Sequence, residues 1–156
     1  MMGSGQDRKL SASLEDYLEA IFNLADESGC ARSKDIANTL GVARSSVTGA
    51  LQLLREKGLA HHEPYRCVTL TGQGQAAARE VARKHDILKS FFMTVLGVEN
   101  EAAQRAACQA EHALESEIIG KLVSFTDYVT AGGASGRDVV SEFRHFRRKR
   151  LTKGKE

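Results

Sequence analysis

The sequence predicts a mostly α-helical fold: a winged helix-turn-helix head followed by a helical dimerisation region. Three observations carry this. Apolar residues recur at helical spacing over most of the 156 residues. Between Ser33 and Leu54, a short helical segment ends at a glycine and a polar-faced second one follows at once. Directly afterwards, two short extended segments flank a turn near Glu63 to Arg66, the pattern of a wing.

The elements follow in order. From Ser13, the residues Leu14, Tyr17, Leu18, Ile21, Phe22 and Leu24 mark a first helix that ends near Ser28 and Gly29. A second helix runs from about Ser33 to Leu40, with Ile36, Ala37 and Leu40 inward, and Gly41 breaks it. A third covers about Ala43 to Lys57, with Val47, Leu51 and Leu54 inward and Gly58 as its C-cap. Gly72 and Gly74 mark the exit from the wing. A long helix then runs from about Gly74 to Leu96, with Val81, His85, Leu88 and Phe92 on one stripe. Helices over about Glu101 to His112 and Ser116 to Val129 follow. Residues 131–136 form a flexible break, and Val139 to Arg150 can form a last amphipathic helix that frays.

Composition sets bounds. The apolar fraction of 42% suffices for a core without cross-links. The net charge of +2 gives no global polyanion-binding signature, so any basic surface is local. Basic residues do gather late in the chain, at Arg144, Arg147, Arg148, Lys149, Arg150, Lys153 and Lys155. Cys30, Cys67 and Cys108 are odd in number and lack a CxxC pair, which argues against a disulfide framework and a zinc finger. Met1 to Gln6 reads as a flexible start. No signal peptide is visible, and no apolar run approaches the roughly 20 residues that span a bilayer, so the expected location is the cytoplasm, with no membrane partner.

In a helix-turn-helix the second helix enters the major groove and its first residues meet base edges. Here these are Arg44, Ser45, Ser46 and Thr48, with Ala43 and Gly49 allowing close approach. Arg44 has the fork that favours guanine, and Thr48 offers a methyl to thymine. Arg32, Lys34, Arg55 and, at the wing tip, Arg66 are phosphate-contact candidates. The plainer alternative is a small bundle with solvated charges.

Three segments carry metal-ligand residue types at helical spacing. Asp16 and Glu19 lie three apart on the first helix. His85 sits on the long helix. Cys108, Glu111 and His112 lie at i, i+3 and i+4 on the fifth. Carboxylates, imidazoles and a thiolate suit a first-row divalent metal: Mn2+ or Fe2+ through oxygen, with Zn2+ or Co2+ admitted by sulfur. Taken singly, each has a plainer reading. Ser13 with Asp16 matches a capping box, His85 a satisfied core histidine, and Cys108 a small buried hydrophobe. Their joint occurrence is what points to a site.

These segments resemble the diphtheria-toxin-repressor family, which includes the manganese transport regulators. The likeness runs from Ser13 to Val129. It is carried by Leu14 to Ile21 (LEDYLEAI), Asp35-Ile36-Ala37, Ser45 to Thr48, Val68 to Gly74 (VTLTGQG), Arg83-Lys84-His85, Phe91 to Val98 and Cys108-Gln109-Ala110-Glu111-His112. The resemblance implies a homodimeric repressor, not an enzyme, whose metal-bound form binds palindromic operators near metal-uptake genes. It implies the manganese-type ligand set at Asp16, Glu19, His85, Glu111 and His112. Cys108 departs from that set and matches the iron-sensing branch. That branch has methionine where Asp16 stands, and its second metal site falls here on Lys89 and Gln104, which cannot serve. The SH3-like domain of the iron branch is not expected.

The expected organisation is a DNA-binding head over 10–74, a metal-binding and dimerisation region over 75–130 and a flexible basic tail over 131–156. Phe91, Phe92, Val95, Leu96, Ile118, Ile119, Leu122 and Val123 are the candidate dimer surface. The competing function is a metal-independent winged-helix regulator that senses oxidants through Cys108 or Cys67. A metalloenzyme is disfavoured because no HExxH and no nucleophile–base pair stands outside the ligand cluster.

Overall fold

The computed structural model describes residues 10–62, 67–132 and 138–153. The chain divides into two compact units, residues 1–82 and 83–156.

In the N-terminal unit, α1 (Ala12–Leu24) buries Leu14, Tyr17, Leu18, Ala20 and Ile21. Its N-cap is Ser11, in extended conformation, whose hydroxyl accepts from the Leu14 N–H at 3.3 Å. The expected Ser13–Asp16 capping box is therefore not the one used. Asp16 falls inside the helix and is released from a capping role. Two helices pack against α1: α2 (Ser33–Leu40) through Ile36 and Ala37, and α3 (Arg44–Glu56) through Val47, Ala50, Leu51 and Leu54. Gly41 at the C-cap of α2 adopts φ 66°, which turns the chain sharply into α3.

Three short strands complete this unit: β1 (Cys30–Ala31), β2 (Ala60–His62) and β3 (Val68–Leu70), in the order β1-β3-β2 and antiparallel throughout. The expected pair of wing strands is β2 and β3, with Ala60 opposite Leu70 and His62 opposite Val68. The third strand was not foreseen, because two residues carry no periodicity. It is set up by Asp26, whose Oδ1 accepts from the Ser28 hydroxyl (2.6 Å), the Ser28 N–H (2.8 Å) and the Cys30 N–H (3.1 Å). Those bonds, the Ser28 hydroxyl foremost, hold the Asp26 carboxyl below the ordinary carboxylate range.

Cys30 stands opposite Thr69, and Cys67 precedes β3 by one residue. Their Cα atoms are 5.5 Å apart and the two form a disulfide. The expectation of no disulfide is thus corrected. A separation of 37 residues hid a proximity that only the β1–β3 pairing creates.

The long helix is α4 (Gly72–Thr94). It starts two residues before the expected Gly74, because Thr71 caps it: Thr71 Oγ1 accepts from the Gly74 N–H at 3.0 Å and donates to the Gly58 carbonyl at 2.7 Å. Gly74 is required by space. A Cβ there would lie 1.9 Å from the Leu59 carbonyl oxygen.

The C-terminal unit combines the later turns of α4 with α5 (Asn100–Ala110), α6 (Ser116–Thr130) and α7 (Val139–Lys153). Leu88, Ala107 and Ile119 form its centre, with Ile87, Phe92, Leu114 and Leu122 half-buried around them. This changes the expected dimer stripe. Ile119 and Val95 are buried within the protomer, whereas Ile118, Phe125 and Tyr128 stay exposed. Where a flexible basic tail was expected, α7 is a 15-residue helix that packs against α6.

Candidate metal centre and nucleic-acid interface

The metal candidates fall into two sets, one in each unit. In the N-terminal unit, Asp16 and Glu19 lie three residues apart on α1, both half-buried. Their neighbours Leu14, Tyr17, Leu18 and Ile21 anchor that helix in the core of the reading head.

In the C-terminal unit, the structure brings His85, Glu111 and His112 together. His85 lies on the apolar stripe of α4 and is 8% exposed, while Glu111 is 1% exposed. Glu111 Oε2 is 2.6 Å from His85 Nδ1, and Glu111 Oε1 is 3.3 Å from His112 Nε2. Helix α5 stops at Ala110, short of the expected His112. Glu111 is its C-cap and still helical (φ −59°, ψ −35°), with its N–H bonded to the Ala107 carbonyl, so the predicted face is kept as far as Glu111. His112 lies in the turn that follows. Cys108 is exposed on α5, one turn before Glu111.

A magnitude decides what Glu111 is for. Removing a carboxylate from water costs several kcal/mol even after relaxation, and pairing recovers only part of this. An apolar residue there would pack at no such cost. The burial of Glu111 between two imidazoles therefore reads as a site for charge. An ionised Glu111 has no proton to give, so His85 Nδ1 must donate, which leaves Nε2 as the basic nitrogen. One carboxylate and two imidazoles fit a first-row divalent cation.

The nucleic-acid candidates surround α3. Arg44, Ser45, Ser46 and Thr48 are exposed at its start, above a buried face of Val47, Ala50, Leu51 and Leu54. The Thr48 hydroxyl donates to the Arg44 carbonyl at 3.1 Å, which satisfies the hydroxyl within the helix. Gln52 extends the exposed face one turn further and was missed by the sequence reading. Its spacing of four from Thr48 was the available signal. Arg32 and Lys34 are exposed around the start of α2. Arg66 and the wing tip lie outside the described residues.

Two family models match. One, described as the N-terminal DNA binding domain of the iron dependent repressor, covers residues 9–68. The other, its metal binding and dimerisation domain, covers residues 71–132. The chain belongs to the iron dependent repressor family. Like that family it is a metal-dependent, dimeric, DNA-binding transcriptional repressor and not an enzyme. Among relatives, it is 34% identical over 119 residues to an uncharacterized HTH-type transcriptional regulator of Methanocaldococcus jannaschii, covering 76% of this chain and 95% of that one. It is 33% identical over 129 residues to the HTH-type transcriptional regulator MntR of Bacillus subtilis, covering 83% and 90%. The solved manganese regulator SloR superposes with a TM-score of 0.65 at 26% identity, over 74% of this chain. This iron dependent repressor family member spans 54% of the SloR chain. Among the described residues, no helix is long and apolar enough to cross a membrane.

Proposed function

We propose that this repressor acts in the cytoplasm and represses metal-uptake genes when loaded with Mn2+ or Fe2+, through the ligand set Asp16, Glu19, His85, Cys108, Glu111 and His112. The observation that carries the proposal is the enclosure of the Glu111 carboxylate between His85 and His112. Manganese enters through relatives: one solved structure 28% identical to this chain is a manganese-dependent transcriptional repressor in complex with manganese. Zn2+ and Co2+ are admitted by the Cys108 thiol, which is softer than a carboxylate.

A bound divalent cation would supply positive charge to the carboxylates of the ligand set. The residues do the rest. Glu111 fixes the ring and tautomer of His85. Asp16 and Glu19 sit on a helix whose inner face is the core of the reading head, so restraining them restrains α2 and α3. Metal shifts the equilibrium toward the DNA-binding state only by its differential affinity for that state. On DNA, we assign base contacts to Arg44, Ser45, Ser46, Thr48 and Gln52, and phosphate contacts to Arg32, Lys34 and Arg66. The operator is a palindrome that matches the dimer, with half-sites about 34 Å apart if they lie one turn apart.

The test is selection of genomic DNA fragments by the purified protein with Mn2+, Fe2+, Zn2+ or a chelator. Enrichment of a palindrome beside uptake genes, with metal only, is the expected result. Equal enrichment under chelation would reject metal activation.

A further inference from the structure

Helix α7 lies beyond the residues matched by either family model and plays no part in the mechanism above. Its charge is nonetheless the largest local imbalance in the chain. From Val139 onward there are seven Lys and Arg residues against Glu142 and Glu156, whereas everything before carries 15 basic and 18 acidic residues. A net-acidic body is a poor partner for DNA, because neutralisation of phosphates supplies much of the affinity.

The helix is held at its first half. Val139, Val140 and Phe143 face Phe91, Val95, Leu96, Phe125 and Val129 across an apolar cavity of about 180 Å³. Arg144 is spent on structure: its guanidinium donates to the Met93 carbonyl at 3.0 Å and to the Thr94 carbonyl at 2.5 Å. These are the last carbonyls of α4, where a cation also meets the negative helix end. Gly97 makes room for it, since a Cβ there would come within 3.3 Å of Arg144 Nε. Arg147 adds to this anchorage, its guanidinium donating to the Leu96 carbonyl at 3.4 Å. Anchored in this way, α7 carries Arg148, Lys149 and Arg150 on the surface, all exposed. The Arg150 guanidinium lies 5.7 Å from the centre of the Phe146 ring, which stiffens the end of the patch.

We propose that the exposed basic face of α7, Arg148 to Arg150, is a second DNA-binding surface that holds the phosphate backbone without reading sequence. The distribution of apolar groups selects nucleic acid over lipid. A helix that lies in a membrane interface needs an apolar face to insert. The apolar face of α7 turns toward Phe91, Leu96 and Phe125, and among the described side chains of its outer half Phe146 is the one large apolar group exposed. Double-stranded DNA is the polyanion this family binds.

The experiment measures binding of the metal-loaded dimer to a fluorescent duplex without operator sequence, by anisotropy, over a series of salt concentrations. The variant is R148Q/K149Q/R150Q, which leaves Arg144, Arg147 and the apolar seat intact. Every phosphate that the protein no longer neutralises flattens the slope of log K against log salt by about 0.9. The expected change is therefore a slope shallower by about 1 to 3, with affinity at low salt reduced by roughly tenfold or more. Operator and non-operator duplexes should weaken by the same factor. A second variant, R148K/R150K, should keep the wild-type slope, since a phosphate contact of this kind needs charge rather than a fork. An unchanged slope in the glutamine variant overturns the proposal. So does failure of the lysine variant to keep the wild-type slope, which would mark the effect as structural. Vesicles of phosphatidylserine and phosphatidylcholine form the other arm. Charge-dependent vesicle binding with an unchanged DNA slope would assign the face to lipid and overturn the proposal as well.

Discussion

The carboxylate of Glu111 lies 2.6 Å from Nδ1 of His85, and the Glu111 side chain is fully enclosed. The pair joins α4 to the end of α5 inside one unit, so it orients a potential ligand before any metal arrives. Glu111→Gln keeps the shape and removes the charge. We expect metal affinity, measured by calorimetry, to fall by at least about 10- to 100-fold, since that range is seen when only a partner that orients a ligand histidine is removed and Glu111 is here also a proposed ligand. The metal-free fold should keep or gain stability, because a buried charge is costly. Unchanged metal affinity would remove Glu111 from the site.

In the proposed ligand set, Cys108 is the position whose donor chemistry would set metal choice. A thiolate favours softer, later metals, and a carboxylate favours manganese. Cys108→Glu should raise the affinity for Mn2+ relative to Zn2+ and Co2+. The wild-type protein loaded with Co2+ should show a sulfur-to-cobalt charge-transfer band that the variant lacks. A wild-type spectrum without that band would show that sulfur is not a ligand.

The helices and the reading head were legible because they bury one face each. The periodicity of Leu14 to Ile21 and of Val47 to Leu54 follows directly from that constraint; it named the large buried residues of both helices but not Ala20 and Ala50, and Phe22 and Leu24 are only partly buried. Glu111 and His112 were legible as a pair, but not the end of α5 at Ala110, since alanine and glutamate continue a helix equally well. β1 and the Cys30–Cys67 bond were illegible for one shared reason: both depend on a contact across 37 residues. The seat of α7 was likewise hidden, because Arg144 bonds to backbone carbonyls some 50 residues away and its side chain looks like its solvated neighbours.

Arg44 opens α3 on its exposed side, where a bidentate contact with guanine is worth about 1 to 3 kcal/mol of discrimination. Arg44→Ala should cost that much on the selected operator and relax preference at one base pair per half-site. Lys34→Ala should instead weaken all duplexes alike and flatten the salt slope by about one. Competition binding against a panel of single-base operator variants separates the two. A uniform loss from Arg44→Ala would reassign that residue to phosphate.

The Cys30–Cys67 bond closes a loop that contains α2, α3 and β2. By the chain-entropy account, a loop of that length contributes about 4 kcal/mol. Scanning calorimetry of the oxidised protein should show the midpoint drop on adding dithiothreitol. Cys67→Ser should reproduce that drop and make the protein insensitive to the reductant. Equal midpoints with and without reductant would show that the cross-link does not hold the head in solution.

Gly72 and Gly74 sit two residues apart in the first turn of α4 and should respond oppositely to alanine. At Gly72 an added Cβ meets nothing within 4 Å. Gly72→Ala then only lowers the entropy of the unfolded chain and improves helix propensity, a gain of about 0.5 to 1 kcal/mol. At Gly74 the same atom would lie 1.9 Å from the Leu59 carbonyl oxygen and 2.9 Å from its carbon. Both are backbone atoms beside β2, so no rotamer change relieves them. The helix start or the strand must move. The propensity gain of about 1 kcal/mol cannot offset overpacking that typically costs about 1 to 3 kcal/mol. Urea denaturation should therefore place Gly72→Ala above the wild type and Gly74→Ala below it. Gly74→Ala should also weaken DNA binding, because the displaced Leu59 leads straight into the wing. A Gly74→Ala protein as stable as Gly72→Ala would mean that α4 does not pack on Leu59 in this way.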